Sequence, residues 1–268
     1  MKFLHLSDTH LRQDYASDWF THRIFTDYDN PTIRFRHLLA SINPVDYDFA
    51  IVTGDLCHEG EASDYGLFRS LWQEHLGDLP YFFCRGNHDP GAAFAEGMQV
   101  EMNLEGSYIA CHEFKGLRII ILDSYQEGDH EGAISEAQFQ QLKTWLSKPA
   151  EKGSILIQHH PLAWEEPDIC TRVPQGFAEL IASSDIRAIF VGHVHTASVV
   201  TYQGINQYMS EAISFGVDEY DHESIFTNRT GYNSVTLTSD QIFYYRHYLT
   251  PHQSMIARMA KPFDNSIF

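Results

Sequence analysis

Five short polar clusters in this chain combine carboxylates, imidazoles and two carboxamides. They are Asp8-Thr9-His10, Thr53-Gly54-Asp55, Gly86-Asn87-His88-Asp89, Gln158-His159-His160 and Gly192-His193-Val194-His195. Oxygen and imidazole donors without a thiolate suit manganese, iron or zinc better than copper or an iron–sulfur cluster. In an extended segment, residues two apart point the same way. Asp8 and His10 are therefore expected to face one ion together, and so are His193 and His195. Gly54, Gly86 and Gly192 each precede a proposed ligand, where glycine permits a positive φ and a close backbone approach. Any one cluster alone reads as well as a turn, Asn87-His88-Asp89-Pro90-Gly91 above all. Five in order, each behind an apolar run, are hard to obtain from turns.

Those apolar runs are Phe3–Leu6, Phe49–Val52, Tyr81–Cys84, Ile155–Ile157 and Ala188–Val191, with a sixth at Arg118–Leu122. Nearly continuous apolar strands of this length fit a sheet covered on both faces. Helical patterns lie between them. Tyr65, Phe68, Leu71, Trp72 and Leu76 share one face. Ser135 and Gln138 form a capping box ahead of Phe139, Leu142 and Leu146. Phe177, Leu180 and Ile181 form a third stripe. The last third of the chain changes to hairpin patterns, at 199–209 and 234–248, so a mixed sheet is expected. In an α/β sheet, ligands bind beyond the carboxyl ends of the strands. The five clusters are thus expected at one common edge.

The chain has 268 residues, of which 43% are hydrophobic, enough apolar material for one large core. The reading is one domain over residues 1–250 with an extension at 251–268, the latter a short helix or an arm on a partner chain. Its net charge of −18, with histidines neutral, repels a nucleic-acid backbone and disfavours a nucleic-acid polymer as partner. A phosphate substrate would need a strong local positive charge. No apolar stretch is long enough to span a membrane. The start, MKFLHLSDTH, lacks a signal-peptide pattern. The four cysteines are scattered without a CxxC, which suits reduced thiols. A cytoplasmic protein is expected.

Asp8–His10, Gly54-Asp55, Gly86–Asp89, the His159 region and Gly192–His195 together resemble the calcineurin-like metallophosphoesterases. The pattern covers roughly residues 1–200. The compact length and the strings HLSDTHL, QHHPL and GHVH are most similar to the bacterial class III cyclic-nucleotide phosphodiesterases and the related glycerophosphodiesterases. The resemblance implies a four-layered α/β/β/α sandwich of two mixed sheets flanked by helices. It implies two metal ions (manganese, iron or zinc). Asp8, His10, Asp55 and His195 would hold the first ion; Asp55, Asn87, His159 and His193 would hold the second. Asp55 bridges two cations about 3.5–4 Å apart.

The implied reaction is hydrolysis of a small phosphodiester, with cyclic nucleotides among the candidates, by a metal-activated hydroxide. The alternatives are a phosphomonoesterase or nucleotide pyrophosphohydrolase on the same scaffold, or a non-catalytic, metal-bound partner-binding protein. His88 is the candidate general acid. Asp89 is expected either to hold the His88 imidazole in one tautomer or to serve the turn. Asn87, His88, His160 and Arg12 are the candidate phosphate or substrate contacts, with support behind the ligands or simple packing as the other readings of His160. Arg12, Tyr15, Trp19, Phe20 and Arg23 are candidates to shape the pocket from a long aromatic loop before the helix near Ile33. Arg85 reads as a surface charge or as a salt-bridge partner under the loop. A homodimer formed through the C-terminal segment is a further option that the resemblance suggests.

Overall fold

The computed structural model describes residues 1–16, 19–25, 30–249 and 255–260, without the side chains of Trp19, Thr21, Met255, Met259 and Ala260. The first half runs β1 (Lys2–Leu6), α1 (Trp19–Ile24), α2 (Pro31–Ser41), β2 (Phe49–Thr53), α3 (Ala62–Leu76), β3 (Tyr81–Cys84), α4 (Gly91–Met98), β4 (Ala110–Phe114) and β5 (Leu117–Ile121). It continues with α5 (Glu136–Trp145), β6 (Ser154–Ile157), α6 (Phe177–Ser183), β7 (Ile186–Val191), β8 (Ser198–Tyr202) and β9 (Ile205–Met209). The last strands are β10 (Gly216–Tyr220), β11 (Glu223–Thr227), β12 (Gly231–Leu237), β13 (Ile242–Tyr248) and β14 (Met255–Ala260).

Two mixed sheets face each other. One has the order β13-β12-β1-β2-β3, the other β4-β5-β6-β7-β9-β8. Strands β1, β2 and β3 are parallel, as are β5, β6, β7 and β9, while β12, β13, β4 and β8 run antiparallel. Strand alternation sorts the side chains between layers. Phe3 and His5 point from β1 across to Phe190 on β7, at ring separations of 5.5 and 5.2 Å. Ile119 and Ile121 join the same core, whereas Ile120 between them joins Phe139 and Leu142 of α5 and Phe177 and Ile181 of α6. On the other side, Phe35 of α2 stacks on Phe68 of α3 at 5.2 Å above the first sheet. The result is the four-layered α/β/β/α sandwich. Each fully buried aromatic or leucine contributes roughly 1.5–3 kcal/mol of burial.

Local signals explain where the helices begin. Asn30 caps α2, its side-chain oxygen accepting from the Ile33 N–H at 3.0 Å, with Pro31 in the first turn. Ser135 caps α5 through the Gln138 N–H at 3.2 Å. The Gln138 side chain does not complete a capping box. Instead its amide accepts from the Asp123 N–H at 3.1 Å and donates to the Asp123 carbonyl at 2.8 Å.

A third, small sheet of order β10-β11-β14 was not visible in the sequence patterns. Part of the expected C-terminal helix or arm is in fact a strand: β14 pairs antiparallel with β11 of the same chain. Ile256 and Ala257 lie against a small aromatic cluster of Phe20, Ile24, Phe25, Phe215 and Phe226. No helix among the described residues is long and apolar enough to cross a membrane.

Candidate metal centre and cleft

The five clusters meet at one edge, after the carboxyl ends of β1, β2 and β3 in one sheet and β6 and β7 in the other. The backbone there is not extended. Asp8, His10, Asp55, His193 and His195 all have positive φ, between 46° and 72°. Each such residue costs on the order of 1–3 kcal/mol and persists only where its surroundings over-determine it. Backbone bonds supply that constraint: Asp8 N–H to the Gly54 carbonyl at 3.1 Å, His10 N–H to the Asp55 carbonyl at 2.9 Å, and Ser214 N–H to the Asp8 carbonyl at 3.1 Å. Gly54 takes φ +86° at the same crossing, and a Cβ on Gly86 would overlap the Asp55 carboxylate.

Two groups of donors result. Ligand atoms of Asp8, His10, Asp55 and His195 lie within 4.8 Å of one another. His10 Nε2 and His195 Nε2 are 3.2 Å apart, and His195 Nε2 is 3.3 Å from Asp8 Oδ1. In the second group, Asn87 Oδ1 is 3.0 Å from both His159 Nε2 and His193 Nδ1. Asp55 Oδ2 stands between the groups, 3.5 Å from His10 Nε2 and 3.3 Å from His159 Nε2. His193 and His195 therefore do not face one site, as simple alternation suggests. Left-handed backbone at both residues sends their rings to opposite sides of Asp55.

The arrangement fits cations. Asp8 and Asp55 are 0% and 1% exposed, and among the described residues no lysine or arginine touches either. Two buried carboxylates faced only by imidazoles and backbone N–H groups require compensating charge. Burial opposes ionisation of Asp55, but the neighbouring His159 and His88 hold its carboxyl well below the usual range. Burial opposes ionisation of Asp8 too, and His195 lowers its pKa against that burial. His159 is pushed up to about 9 because Asp55 outweighs its burial. Burial drives His10 well down and, with His159, takes His193 down to about 3. A neutral imidazole with a bare nitrogen aimed at a carboxylate-lined pocket is what a metal ligand must be.

Partners behind these residues set their orientation. His159 Nδ1 pairs with the Thr53 carbonyl at 2.7 Å and His195 Nδ1 with the Phe215 carbonyl at 2.8 Å. Both bonds place a proton on Nδ1, so Nε2 is the nitrogen that each ring turns toward the donors. The Asn87 amide nitrogen meets His130 Nδ1 at 3.1 Å, which turns Oδ1 inward. His88 donates its backbone N–H to Asp55 Oδ1 at 2.9 Å, and its Nδ1 lies 3.0 Å from Glu59 Oε1. Burial lowers the His88 pKa, yet Asp55 and Glu59 prevail and raise it.

Several expectations need correction. Asp89 does not hold the His88 ring; Glu59 does. The Asp89 carboxylate instead accepts from the Gly86, Leu56 and Cys57 N–H groups at 2.9–3.1 Å and from the Tyr65 hydroxyl at 3.0 Å. Burial and Asp55 push its carboxyl up to about 7. His160 is fully buried and both ring nitrogens are engaged, with Ser124 Oγ at 2.7 Å and the His130 carbonyl at 3.0 Å, so it offers nothing to a substrate. Its ring lies 4.4 Å from that of His193 and supports it. Arg12 is absent from the cleft wall. Its guanidinium donates to the His58 carbonyl at 2.8 Å and to the Glu59 carbonyl at 3.4 Å. Arg85 is the salt-bridge partner, 2.8 Å from Asp123 and with its guanidinium 3.9 Å over the Tyr125 ring.

A cleft of about 270 Å³ opens over the donors. His10, Asp55, Asn87, His88, His193 and His195 form its floor. Phe20, Trp164, Ile169, Phe215, Val217 and Phe226 form its walls. Of the loop residues proposed to shape it, Phe20 does so. Tyr15 instead turns to Thr32, at 2.9 Å, and the Trp19 side chain lies outside the described residues. His58, Glu59 and His130 also belong to the site. His58 and Glu59 follow Asp55 by three and four residues, a spacing that the sequence offered as a signal. His130 had none.

Oxygen and imidazole pockets sharing one carboxylate, beneath an open cleft, define a metal-dependent hydrolase of phosphate esters. Residues 1–197 match the model of the calcineurin-like phosphoesterase family, and the chain belongs to that family. It is 30% identical over 227 residues to a cAMP/cGMP dual specificity phosphodiesterase of Mycobacterium tuberculosis, covering 80% of this chain and 68% of that one. It is 27% identical over 251 residues to a 3',5'-cyclic adenosine monophosphate phosphodiesterase of Haemophilus influenzae, covering 90% and 86%. The fold is shared with a purple acid phosphatase from yellow lupin, at a TM-score of 0.60 and 14% identity. That likeness covers 92% of this chain and about half, 51%, of the lupin chain.

Proposed function

We propose that this protein hydrolyses small phosphodiesters, cyclic nucleotides among them, with two metal ions held on either side of Asp55. The observation that carries this reading is the Asp55 carboxylate, whose single Oδ2 faces His10 of one donor group and His159 of the other. Asp8, His10, Asp55 and His195 would hold one ion; Asp55, Asn87, His159 and His193 would hold the other. Bound there, manganese, iron or zinc would lower the pKa of a water and stabilise the charge that develops on the phosphoryl oxygens.

The remaining steps fall to the chain. His88 stands in the cleft beside Asn87, with Nδ1 held by Glu59 and with no described partner on Nε2. That nitrogen would protonate the departing alkoxide, the general-acid role. Neutral Asn87 adds no negative charge to its pocket, which keeps an ion there electrophilic. The walls, apolar apart from Glu219, would pack against the ester groups flanking the phosphorus. The phosphodiester preference is supported by the relatives named as cyclic-nucleotide phosphodiesterases.

The test is a substrate panel with manganese-loaded protein: bis-nitrophenyl phosphate, nitrophenyl phosphate, cyclic AMP and a glycerophosphodiester. Faster turnover of the diesters than of nitrophenyl phosphate is expected. A preference for the monoester would replace the reading with a phosphatase. No hydrolysis of any, with metals confirmed by elemental analysis, would replace it with a binding protein.

A further inference from the structure

The segment that follows the bridging carboxylate, Leu56-Cys57-His58-Glu59, is held from several directions. Asp89 accepts from the Leu56 and Cys57 N–H groups, Arg12 donates to the His58 and Glu59 carbonyls, and the Glu59 N–H donates to the His88 carbonyl at 3.0 Å. Held in this way, the segment brings His58 against the metal centre. The His58 ring is 4% exposed and stacks between two others, His88 at 4.4 Å and Phe20 at 5.6 Å, with interplanar angles of 26° and 14°. Its Nδ1 lies 3.0 Å from Nδ1 of His10.

We propose that His58 is a positioning residue for the first metal pocket, accepting a hydrogen bond from His10 Nδ1–H and so fixing the tautomer and tilt of that ligand. The proton count follows from geometry. His10 Nε2 faces His195 Nε2 at 3.2 Å and Asp55 Oδ2 at 3.5 Å, so to ligate a cation it must be bare. The neutral ring then carries its proton on Nδ1. That proton needs an acceptor at 3.0 Å, and His58 Nδ1 is the atom there, bare in its turn, with its own proton on Nε2. The other ligands are oriented differently: His159 and His195 use backbone carbonyls, which accept under all conditions. His10 Nδ1 instead meets a second side chain, one whose ring also stacks on the proposed acid His88. Altering His58 should therefore reach both His10 and the cleft face of His88. Partners of this kind, behind a ligand, typically carry 10–100-fold in metal affinity.

The inference rests on His10 as a ligand, and the tests separate the two. In zinc-loaded and metal-free protein with 15N-labelled histidine, a scalar coupling between the Nδ1 nuclei of His10 and His58 is expected. Its absence in both forms overturns the inference, whatever the metals do. Metal titration of His58→Phe, which keeps a ring between His88 and Phe20 but accepts no hydrogen bond, should show first-site affinity about 10–100-fold weaker. His58→Gln, which regains an acceptor, should recover most of that loss. Equal affinity in the wild type and His58→Phe overturns the positioning role, as does a His58→Gln variant that folds and binds no better than His58→Phe. Asp8→Asn serves as the control: unchanged metal binding there would remove the metal-site reading itself.

Discussion

The floor of the cleft and its walls are built by different means. The donors of the floor stand at the ends of β1, β2, β3, β6 and β7; Asp8, His10, Asp55, His193 and His195 among them are in strained left-handed backbone, held by backbone hydrogen bonds. The walls come from α1, the loop around Trp164 and Ile169, and the small β10-β11-β14 sheet. There the contacts are between rings: Phe20 and Phe215 at 6.0 Å, Phe215 and Phe226 at 5.6 Å. A hydrogen-bonded and strained floor tolerates little change, because each donor and acceptor has one geometry. A wall held by non-directional apolar contact can change its outline while keeping the floor intact. On the proposed function, chemistry would fall to the part that cannot adapt, and selection among ester groups to the part that can.

Breaking the floor at its centre should have the largest effect. Asp55→Asn removes the charge shared by both donor groups, and turnover should fall by at least about 10³-fold, with metal content reduced when measured by elemental analysis. Next comes His88→Ala. A lost general acid costs about 10²–10⁴-fold, and more for an alkyl ester than for a nitrophenyl ester, whose leaving group needs no proton. Equal losses for the two would move His88 from acid to phosphate contact. Asp89→Ala should act on stability, leaving the Leu56, Cys57 and Gly86 N–H groups and the Tyr65 hydroxyl without their acceptor. Roughly 3 kcal/mol or more of unfolding free energy should be lost in denaturant titration. If it costs activity without stability, the structural role assigned to Asp89 is wrong.

The smallest effect sharpens the comparison from the wall. Val217→Ala removes two methyl groups from the half-buried wall of the cleft, worth roughly 1–1.5 kcal/mol for an ester group that packs on them. KM should rise several-fold with kcat nearly unchanged. A fall in kcat with KM constant would show that the wall takes part in the chemistry, and the division between the two regions would fail.

Much of the floor was readable from residue types alone. Carboxylate, amide and imidazole clusters behind successive apolar runs marked both the strands and the edge where they meet. The stabilising partners were less readable. Glu59 and Asp89 are both carboxylates near His88, and adjacency in sequence left Asp89 open to either role, imidazole partner or turn. Asp89 folds back to cap three backbone N–H groups, leaving Glu59, from another strand end, to reach the imidazole at 3.0 Å. His160 looked available beside His159, yet alternation points it away from Asn87 and into contacts with Ser124 and His130. Arg12 looked like a phosphate contact and instead clasps the His58–Glu59 backbone.

The sequence by itself determined the donor types, their order, and the strands that carry them, because those depend on local periodicity and on side-chain chemistry. It also determined that a phosphate substrate must be drawn by the site and not by a surface of net charge −18. Only the tertiary structure decided that His193 and His195 part to opposite sides of Asp55, since that follows from positive φ at both residues and from the packing that enforces it. It alone decided that His58 meets His10 and that β10 and β11 line the cleft, with β14 paired to β11. Contacts between residues dozens to hundreds of positions apart follow from how two sheets face each other, and no local pattern encodes that distance.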